Sequence, residues 1–393
     1  MEVFKVMVLK GYKRENGTYG IRNHVAIIPA SVCASETAVR ISNLVPGSVA
    51  LPHQHGCCQI GDDLKLTIDT LIGLGKNPNV GAVLVVGLGC EGVPPKELVE
   101  GISETGKRVE KIIIQDLGGT LGAIREGGRI ASEMARELSQ QERVEFDIGE
   151  LTLAIECGGS DPTSGIASNP AVGYASDLLI KNGGSSILSE TTELIGAEHI
   201  LAQRCINEEV AQKLFKIVQD TEDRAIAMGT DLRSGQPTPG NKEGGLTTIE
   251  EKSLGCIYKA GLSPVIGVLG YAEQVNEGNK GLYVMDTPGQ DIDSITGMLA
   301  GGAQIVVFTT GRGTPTGSPI APVIKVTGNS STFHKMQDNI DINAGRIIDG
   351  EASIQEVGQE ILNEMIKVSN GKYTKAESLG HKEFGIYRIG TTF

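Results

Sequence analysis

The stretch Val80–Leu88, VGAVLVVGL, runs for nine residues without a polar side chain. A strand of that kind is covered on both faces, and such strands belong to parallel sheets sandwiched between helices. The surrounding sequence agrees. Strand-like His24–Ile28, Ser48–Leu51 and Val109–Gln115 alternate with helical patterns at Ala34–Asn43, Asp62–Gly73, Pro95–Thr105 and Leu121–Gln140, with Ser31 a candidate cap for the first helix. After the polar run Gln140–Asp147 the alternation resumes. Strands are predicted at Ser185–Leu188, Pro264–Gly270, Leu282–Met285, Gln304–Phe308 and Val323–Val326, and helices at Ala171–Lys181, Glu208–Gly229, Ile249–Gly261 and Ile354–Ser369. Strand alternating with helix predicts an α/β chain of mostly parallel sheets flanked by helices. At 393 residues the chain is long for one core, so two domains are expected. The polar run marks their boundary, giving an N-terminal α/β domain over 1–145 and a C-terminal one over 146–393. Met1–Tyr19 reads as a small hairpin turning at Glu15-Asn16-Gly17, and the tail Ala376–Phe393 as a segment that packs back onto a domain or a partner.

Chemistry is concentrated where predicted strands stop. In Leu151–Pro170 an alternating apolar run ends in Cys157, two glycines, Ser160 and Asp161. Glycine lets a backbone approach a ligand closely, and open α/β sheets hold their ligands past the carboxyl ends of strands. The same setting recurs at His53-Gln-His-Gly-Cys57 and Gly89-Cys90-Glu91. Thiolates suit iron and zinc, and a metal with an open position acts as a Lewis acid. Cys57, Cys90 and Cys157, with His53 as a nitrogen donor, are therefore expected to converge as metal ligands in a cleft between the domains. Any one of these cysteines taken alone is more often a small buried hydrophobe. Cys33, Cys205 and Cys256 lie on or near helices and read as packing.

Composition excludes other functions. A formal net charge of −13 argues against nucleic acid, which needs a basic face. No apolar run approaches the roughly 20 residues of a membrane span, and no signal-peptide pattern is present, so a cytoplasmic protein is expected. Seven cysteines, an odd number in a large chain of this kind, indicate reduced thiols rather than a disulfide framework. Gly87-Leu-Gly-Cys-Glu-Gly92 fits a dinucleotide-binding pattern by letter. Glu91 would point an anion at the pyrophosphate, however, and Pro94-Pro95 delays the helix that should receive it.

Taken in order, these stretches resemble the altronate/galactarate dehydratase family of sugar-acid dehydratases, which also contains the large subunit of sulfolactate sulfo-lyase. The motifs are Gly17-Thr-Tyr-Gly-Ile-Arg22-Asn23, His53 to Cys57, Asn77-Pro-Asn-Val80, Gly89-Cys90-Glu91, Cys157-Gly-Gly-Ser160-Asp161 and Ser189-Glu190-Thr-Thr-Glu193. Gly240-Asn241-Lys242, Phe308-Thr-Thr-Gly311-Arg312-Gly313 and Asp341-Ile-Asn343-Ala-Gly345 complete the series, which covers nearly the whole chain. The small N-terminal SAF domain of fused members has no counterpart here, and a separate small SAF-type subunit would supply it. Cys58 stands where glycine is usual, which leaves Cys57 the better ligand candidate. The resemblance implies an iron-dependent lyase acting on a hydroxy acid, with iron as Fe²⁺ or an iron–sulfur cluster, and a homo-oligomer is expected.

Dehydration of a 2,3-dihydroxy acid removes the proton α to the carboxylate and expels the β-hydroxyl. The enediolate needs positive charge beside it. The product is a 2-keto-3-deoxy acid; with bisulfite as leaving group the same steps make pyruvate from sulfolactate. Arg312, between glycines after a strand, is the expected carboxylate clamp, because a guanidinium fork matches a carboxylate. Lys242 is expected as base or charge stabiliser, Glu190 as base or acid, and Asp161, Ser160, Asn241, Glu193 and Lys325 as groups facing the substrate.

Overall fold

The computed structural model describes residues 8–235, 237–276 and 278–393. The apolar runs form two parallel sheets. The smaller has the order Ser48–Ala50, His24–Pro29, Val80–Gly87, Arg108–Ile113. Every residue of Val80–Gly87 is buried, as a strand without polar side chains requires. The larger sheet has seven parallel strands in the order Val265–Leu269, Leu282–Met285, Ser185–Leu188, Thr152–Cys157, Ile305–Thr310, Val323–Thr327, Ile342–Asn343. Thr152–Cys157 comes first in this half of the chain yet lies near the middle of the sheet. It is flanked by the next strand on one side and by Ile305–Thr310 on the other. Crossovers leave it in both directions, so the loops at its carboxyl end part and leave a crevice, the place where open α/β sheets bind ligands.

A third, antiparallel sheet links the halves. Val8–Lys13 pairs with Tyr19–Gly20 on one edge and with Val144–Asp147 on the other. The described part of the expected hairpin is thus present, and residues 1–7 lie outside the described chain. Gln140–Asp147, read as a polar connection, contains that last strand; its polarity reflects exposure at a sheet edge. Two further elements escaped the sequence reading. Asp291–Ala300 is a helix capped by the Gln290 side chain, and a short helix, Pro239–Glu243, sits inside the glycine-rich loop 235–247. Ser31 does stand at the N-terminus of the helix Val32–Leu44, but its side chain makes no capping hydrogen bond.

The two halves share one apolar core. The largest cluster of buried residues includes Ile28, Leu71 and Val85 from the first half and Ile187, Met298 and Phe308 from the second. Asn77 and Asn79 fasten the joint: Asn77 Nδ2 donates to the carbonyls of Leu299 and Ala303, and Asn79 Nδ2 to that of Gln304, each at 2.8 Å. Their motif therefore serves docking. At Gly73 the helix Gly61–Lys76 comes so close to the helix Asp291–Ala300 that a Cβ would lie 2.5 Å from the Ala300 carbonyl oxygen. The tail also bridges the halves. After the helix Lys375–Leu379 it passes Tyr271, whose hydroxyl accepts from the Tyr387 amide. It then reaches His55, Asp63 and Cys58, through contacts from His55 Nε2 to the Ile386 carbonyl at 2.9 Å, Ile389 N to Asp63 Oδ1 at 2.9 Å and Phe393 N to the Cys58 carbonyl at 3.0 Å. Among the described residues no helix is long and apolar enough to cross a membrane.

Candidate active site

The crevice of the seven-stranded sheet holds a buried cluster of thiols, carboxylates and ammonium groups. Cys157 ends the central strand, and Glu190 and Glu193 follow Ser185–Leu188. Lys252 and Cys256 come from the helix Ile249–Ile257, and Lys259 from the turn that continues it. Glycine allows that helix to reach the strand ends: a Cβ on Gly165 would lie 3.0 Å from Gly255 Cα. Gly165 belongs to the π-helical turn Ser164–Ser168, a distortion often found at functional sites. Asn169 secures the approach by donating to the Gly255 carbonyl at 2.9 Å while accepting from Thr309 Oγ1 at 2.7 Å.

Within the cluster Lys259 is 1% exposed. Its Nζ lies 2.9 Å from Cys157 Sγ, 2.6 Å from Glu190 Oε2 and 3.6 Å from Glu193 Oε2. Burial opposes its charge, but Cys157, Glu190 and Glu193 outweigh that and raise its pKa. Glu193 accepts from both Cys157 Sγ and Cys256 Sγ at 2.8 Å, and its other oxygen meets Lys252 Nζ at 2.8 Å. Burial alone would raise the Glu193 pKa; Lys252, Lys259 and the thiol donors overcome it and hold the carboxyl at about 2. The hydrogen bond with Cys256 and then burial push the Cys157 thiol well up. The two sulfurs are 3.7 Å apart.

Glu190 is in a different state. Its backbone is left-handed, with φ 67°, an uncommon conformation for a residue with a side chain. Oε2 accepts from Cys157 N at 3.0 Å as well as from Lys259, while Oε1 is buried without a partner. Burial and then the Glu193 charge raise its pKa. Behind it Glu156, fully buried in the central strand, accepts from Ser189 Oγ at 3.0 Å and Ser294 Oγ at 2.6 Å.

A pocket of about 190 Å³ opens over the cluster, lined by Ser160, Asp161, Asn169, Lys252 and Cys256 among others. All its lining residues lie between Ser160 and Tyr258, so the expected cleft between domains contributes nothing to this pocket. From Ser160 on its wall, contacts run inward: Ser160 Oγ to Cys157 Sγ at 3.7 Å, then Lys259, then Glu190. Asn241 donates to the Ser160 carbonyl at 3.2 Å. Arg312 is half exposed and bonds the Gly240 carbonyl at 2.7 Å, and Lys242 is exposed on the same loop. Asp161 accepts from Thr163 Oγ1 at 2.5 Å and Ser164 N at 3.2 Å.

Several expected ligands are not brought together. Cys57 and Cys90 are exposed at the smaller sheet, whereas Cys157 is buried in the larger one. Among the described residues two groups of three ligand atoms lie within 4.8 Å, namely Cys157, Glu193, Cys256 and Glu156, Glu190, Asp291. Neither contains Cys57, Cys90 or His53. Both nitrogens of His53 are already committed: Nδ1 accepts from His55 N at 3.2 Å and Nε2 donates to the Pro29 carbonyl at 2.8 Å. Lys325 is buried and does not face the pocket; its Nζ donates to the carbonyls of Pro315 and Thr316, and burial lowers its pKa to about 8. Cys256, read as packing, belongs to the cluster. So do Lys252 and Lys259, which the sequence reading passed over. Spacings of four and three residues put Lys252, Cys256 and Lys259 on one helix face, and that pattern was the available signal.

His53 supplies a pH prediction. Burial pushes its pKa down to about 4, so the unfolded chain binds a proton that the folded chain refuses. Stability is therefore expected to fall as pH drops from about 6.5 through 4, by about 3 kcal/mol in all. Urea unfolding of wild type and His53→Gln at pH 7 and pH 4.5 measures this; equal acid losses in both would assign the sensitivity to other groups.

Comparison with known proteins gives two family matches along the chain. Residues 11–139 match the family model described as D-galactarate dehydratase/altronate hydrolase, second domain. Residues 148–392 match the model described as D-galactarate/altronate dehydratase, C-terminal. The chain is 41% identical over 387 residues to the (2R)-sulfolactate sulfo-lyase subunit beta of Chromohalobacter salexigens, covering 96% of this chain and 97% of that one. It is 37% identical to the altronate dehydratase of Bacillus subtilis, covering 98% of this chain and 78% of the relative. The galactarate dehydratase (L-threo-forming) of Escherichia coli is 39% identical, over 78% of this chain and 59% of its own length.

Proposed function

The chain belongs to the D-galactarate/altronate dehydratase family, and on that premise we propose that it removes water from a sugar acid such as altronate or galactarate to give a 2-keto-3-deoxy acid. It is a lyase, as its named relatives are. The observation that carries the reading is the pocket over Cys256 and Lys252, joined by a line of contacts to a strained, half-partnered Glu190. Such a carboxyl, with a raised pKa beside an ammonium, is suited to exchanging a proton with a bound substrate.

In this mechanism Lys252 on the pocket wall attracts the substrate carboxylate, with Arg312 and Lys242 at the neighbouring Gly240 segment adding positive charge, while Ser160 and Asp161 hold its hydroxyls. Asn241 keeps the Ser160 backbone in place. Glu190 takes up the α-proton by way of Lys259, and the same route returns a proton to the departing β-hydroxyl, which leaves as water. Lys252 and Lys259 keep the site positive as charge moves onto the substrate oxygens, and the buried setting strengthens that effect.

The donor set fits iron. Cys157, Cys256 and Glu193 offer two sulfurs and an oxygen within 4.8 Å, a combination that suits a borderline divalent metal. With both thiols ionised, two thiolates, Glu190 and Glu193 balance Lys252, Lys259 and one divalent ion, leaving no net charge. Iron held there supplies Lewis acidity toward an oxygen of the substrate. A separate small SAF-type subunit is part of the proposal, supported by the subunit name of the sulfo-lyase relative.

The second reading is a sulfo-lyase acting on sulfolactate. It is supported by the 41% identity of this chain to the sulfo-lyase subunit, alongside the 37% identity to the Bacillus altronate dehydratase. The test is to supply anaerobically purified, iron-loaded protein with altronate, galactarate and sulfolactate. Ketodeoxy acid from a sugar acid supports the first reading. Sulfite from sulfolactate alone transfers the assignment to the second, and no turnover of any of the three, with the small subunit added, overturns both.

A further inference from the structure

Glu190, at φ 67° and ψ 68°, stands in a conformation that a residue with a side chain leaves unless its surroundings fix it. What fixes it is a turn on the neighbouring strand. Leu282–Met285 pairs in parallel with Ser185–Leu188, so the segments that follow them, Asp286-Thr287-Pro288-Gly289 and Ser189-Glu190-Thr191-Thr192, leave the sheet side by side. Thr287 Oγ1 accepts from Glu190 N at 2.7 Å, and the Thr287 carbonyl accepts from Thr191 N at 3.1 Å. The contact is reciprocal: Thr287 N donates to Thr191 Oγ1 at 3.2 Å, and that hydroxyl donates to Asp286 Oδ1 at 2.6 Å. Gly289 lets the two turns close, since a Cβ there would lie 2.3 Å from Thr192 Oγ1.

A hydroxyl has a single proton to give, and here that fixes the direction of a chain of bonds. Ser294 Oγ donates to Glu156 Oε2 at 2.6 Å, so across the 3.1 Å contact between the two hydroxyls Thr287 is the donor. The line therefore runs from the Glu190 amide through Thr287 and Ser294 to a carboxylate on the central strand. Thr287, Ser294 and Glu156 are all buried, so a bond lost here is not replaced by bulk water. Held by its amide in this way, Glu190 keeps Oε2 on Cys157 N at 3.0 Å and on Lys259 Nζ at 2.6 Å.

We propose that Thr287 is a positioning residue for the reaction: its hydroxyl and backbone hold Glu190 in the left-handed turn that keeps the carboxylate on Lys259. The inference rests on the reading of Glu190 as the group that takes up the α-proton. Thr287 is absent from the pocket wall, so its loss acts on the chemical step and leaves substrate binding alone. A reacting group displaced by about 1 Å costs roughly 10²-fold in rate, and a freed Glu190 backbone moves its carboxylate at least that far.

The experiment compares kcat and KM of Thr287→Val, Thr287→Ser and Glu190→Gln in the intact, iron-loaded protein, with whichever of altronate, galactarate and sulfolactate the wild type turns over. Valine keeps the branched shape of threonine and removes the hydroxyl. Thr287→Val is expected to lose about 10²-fold in kcat with KM within about threefold of wild type, and Thr287→Ser, which restores the hydroxyl, to stay within about fivefold in kcat. Loss of kcat in Glu190→Gln but not in Thr287→Val overturns the inference and leaves the base assignment standing. A wild-type kcat in Glu190→Gln overturns the base assignment, and the inference with it. Thr287→Ser as slow as Thr287→Val also overturns the inference, because packing and not the hydroxyl then matters. Should Thr287→Val not fold, Ser294→Ala decides: it leaves Thr287 in place and takes away the acceptor of its proton, so kcat about tenfold lower is expected, and an unchanged kcat overturns the proposal.

Discussion

Replacing Lys259 with methionine is expected to destabilise the protein by about 3–5 kcal/mol, the cost of leaving buried charge without its partner. Methionine nearly matches lysine in length, so the loss would not come from a cavity. It would come from Glu190, which loses its one ammonium contact among the described residues and is left with the Cys157 amide, and from Glu193, which keeps Lys252 and the two thiols. The pair can lower the cost by taking up a proton, since burial already raises the Glu190 pKa. The variant should therefore regain part of its stability as pH falls toward 5, the reverse of the trend expected from His53. Denaturant unfolding at pH 5 and pH 8 measures both effects. A change below about 1 kcal/mol at pH 8 would show that the cluster does not depend on the Lys259 charge.

Glu190→Gln is expected to lower kcat by about 10²- to 10⁴-fold, the usual worth of a positioned proton acceptor, with a much smaller change in KM. Glutamine keeps the shape and the acceptor for Cys157 N but cannot take up the α-proton. The rise of kcat with pH that reports Glu190 ionisation should vanish with it. Loss of activity alone would not separate this role from a structural one, because Glu190 also anchors Lys259; the pH profile separates them. A profile of unchanged shape with kcat within fivefold of wild type would leave Glu190 a structural residue and move the base elsewhere on the pocket wall.

The sheets were legible because their strands are short runs that start after glycine and stop at a polar residue: Ser185–Leu188 and Leu282–Met285 were found with their observed limits, as was the helix Ile354–Ser369. The helix Asp291–Ala300 was missed, since its Asp-Ile-Asp-Ser-Ile-Thr-Gly start carries as much loop character as helical period. Cys157, Glu190 and Glu193 do lie at or just past strand ends, as the sequence placed them. What the sequence withheld was which strand ends meet. Cys57 and Cys90 have the same local setting as Cys157, and nothing in that setting says that they edge a different sheet. Cys256 was hidden for another reason: a cysteine on an amphipathic helix looks like core packing, and only the flanking lysines on the same face distinguish it.

The carboxyl-terminal segment, fastened to Tyr271 on one half and to His55, Asp63 and Cys58 on the other, turns a chain with one covalent crossing near residue 147 into a loop closed twice. A single proteolytic nick between Gly380 and Ile386 would open that second closure while leaving every strand and the shared apolar core in place. Its effect would be felt first at the turn Gly56–Cys58, which the segment holds down.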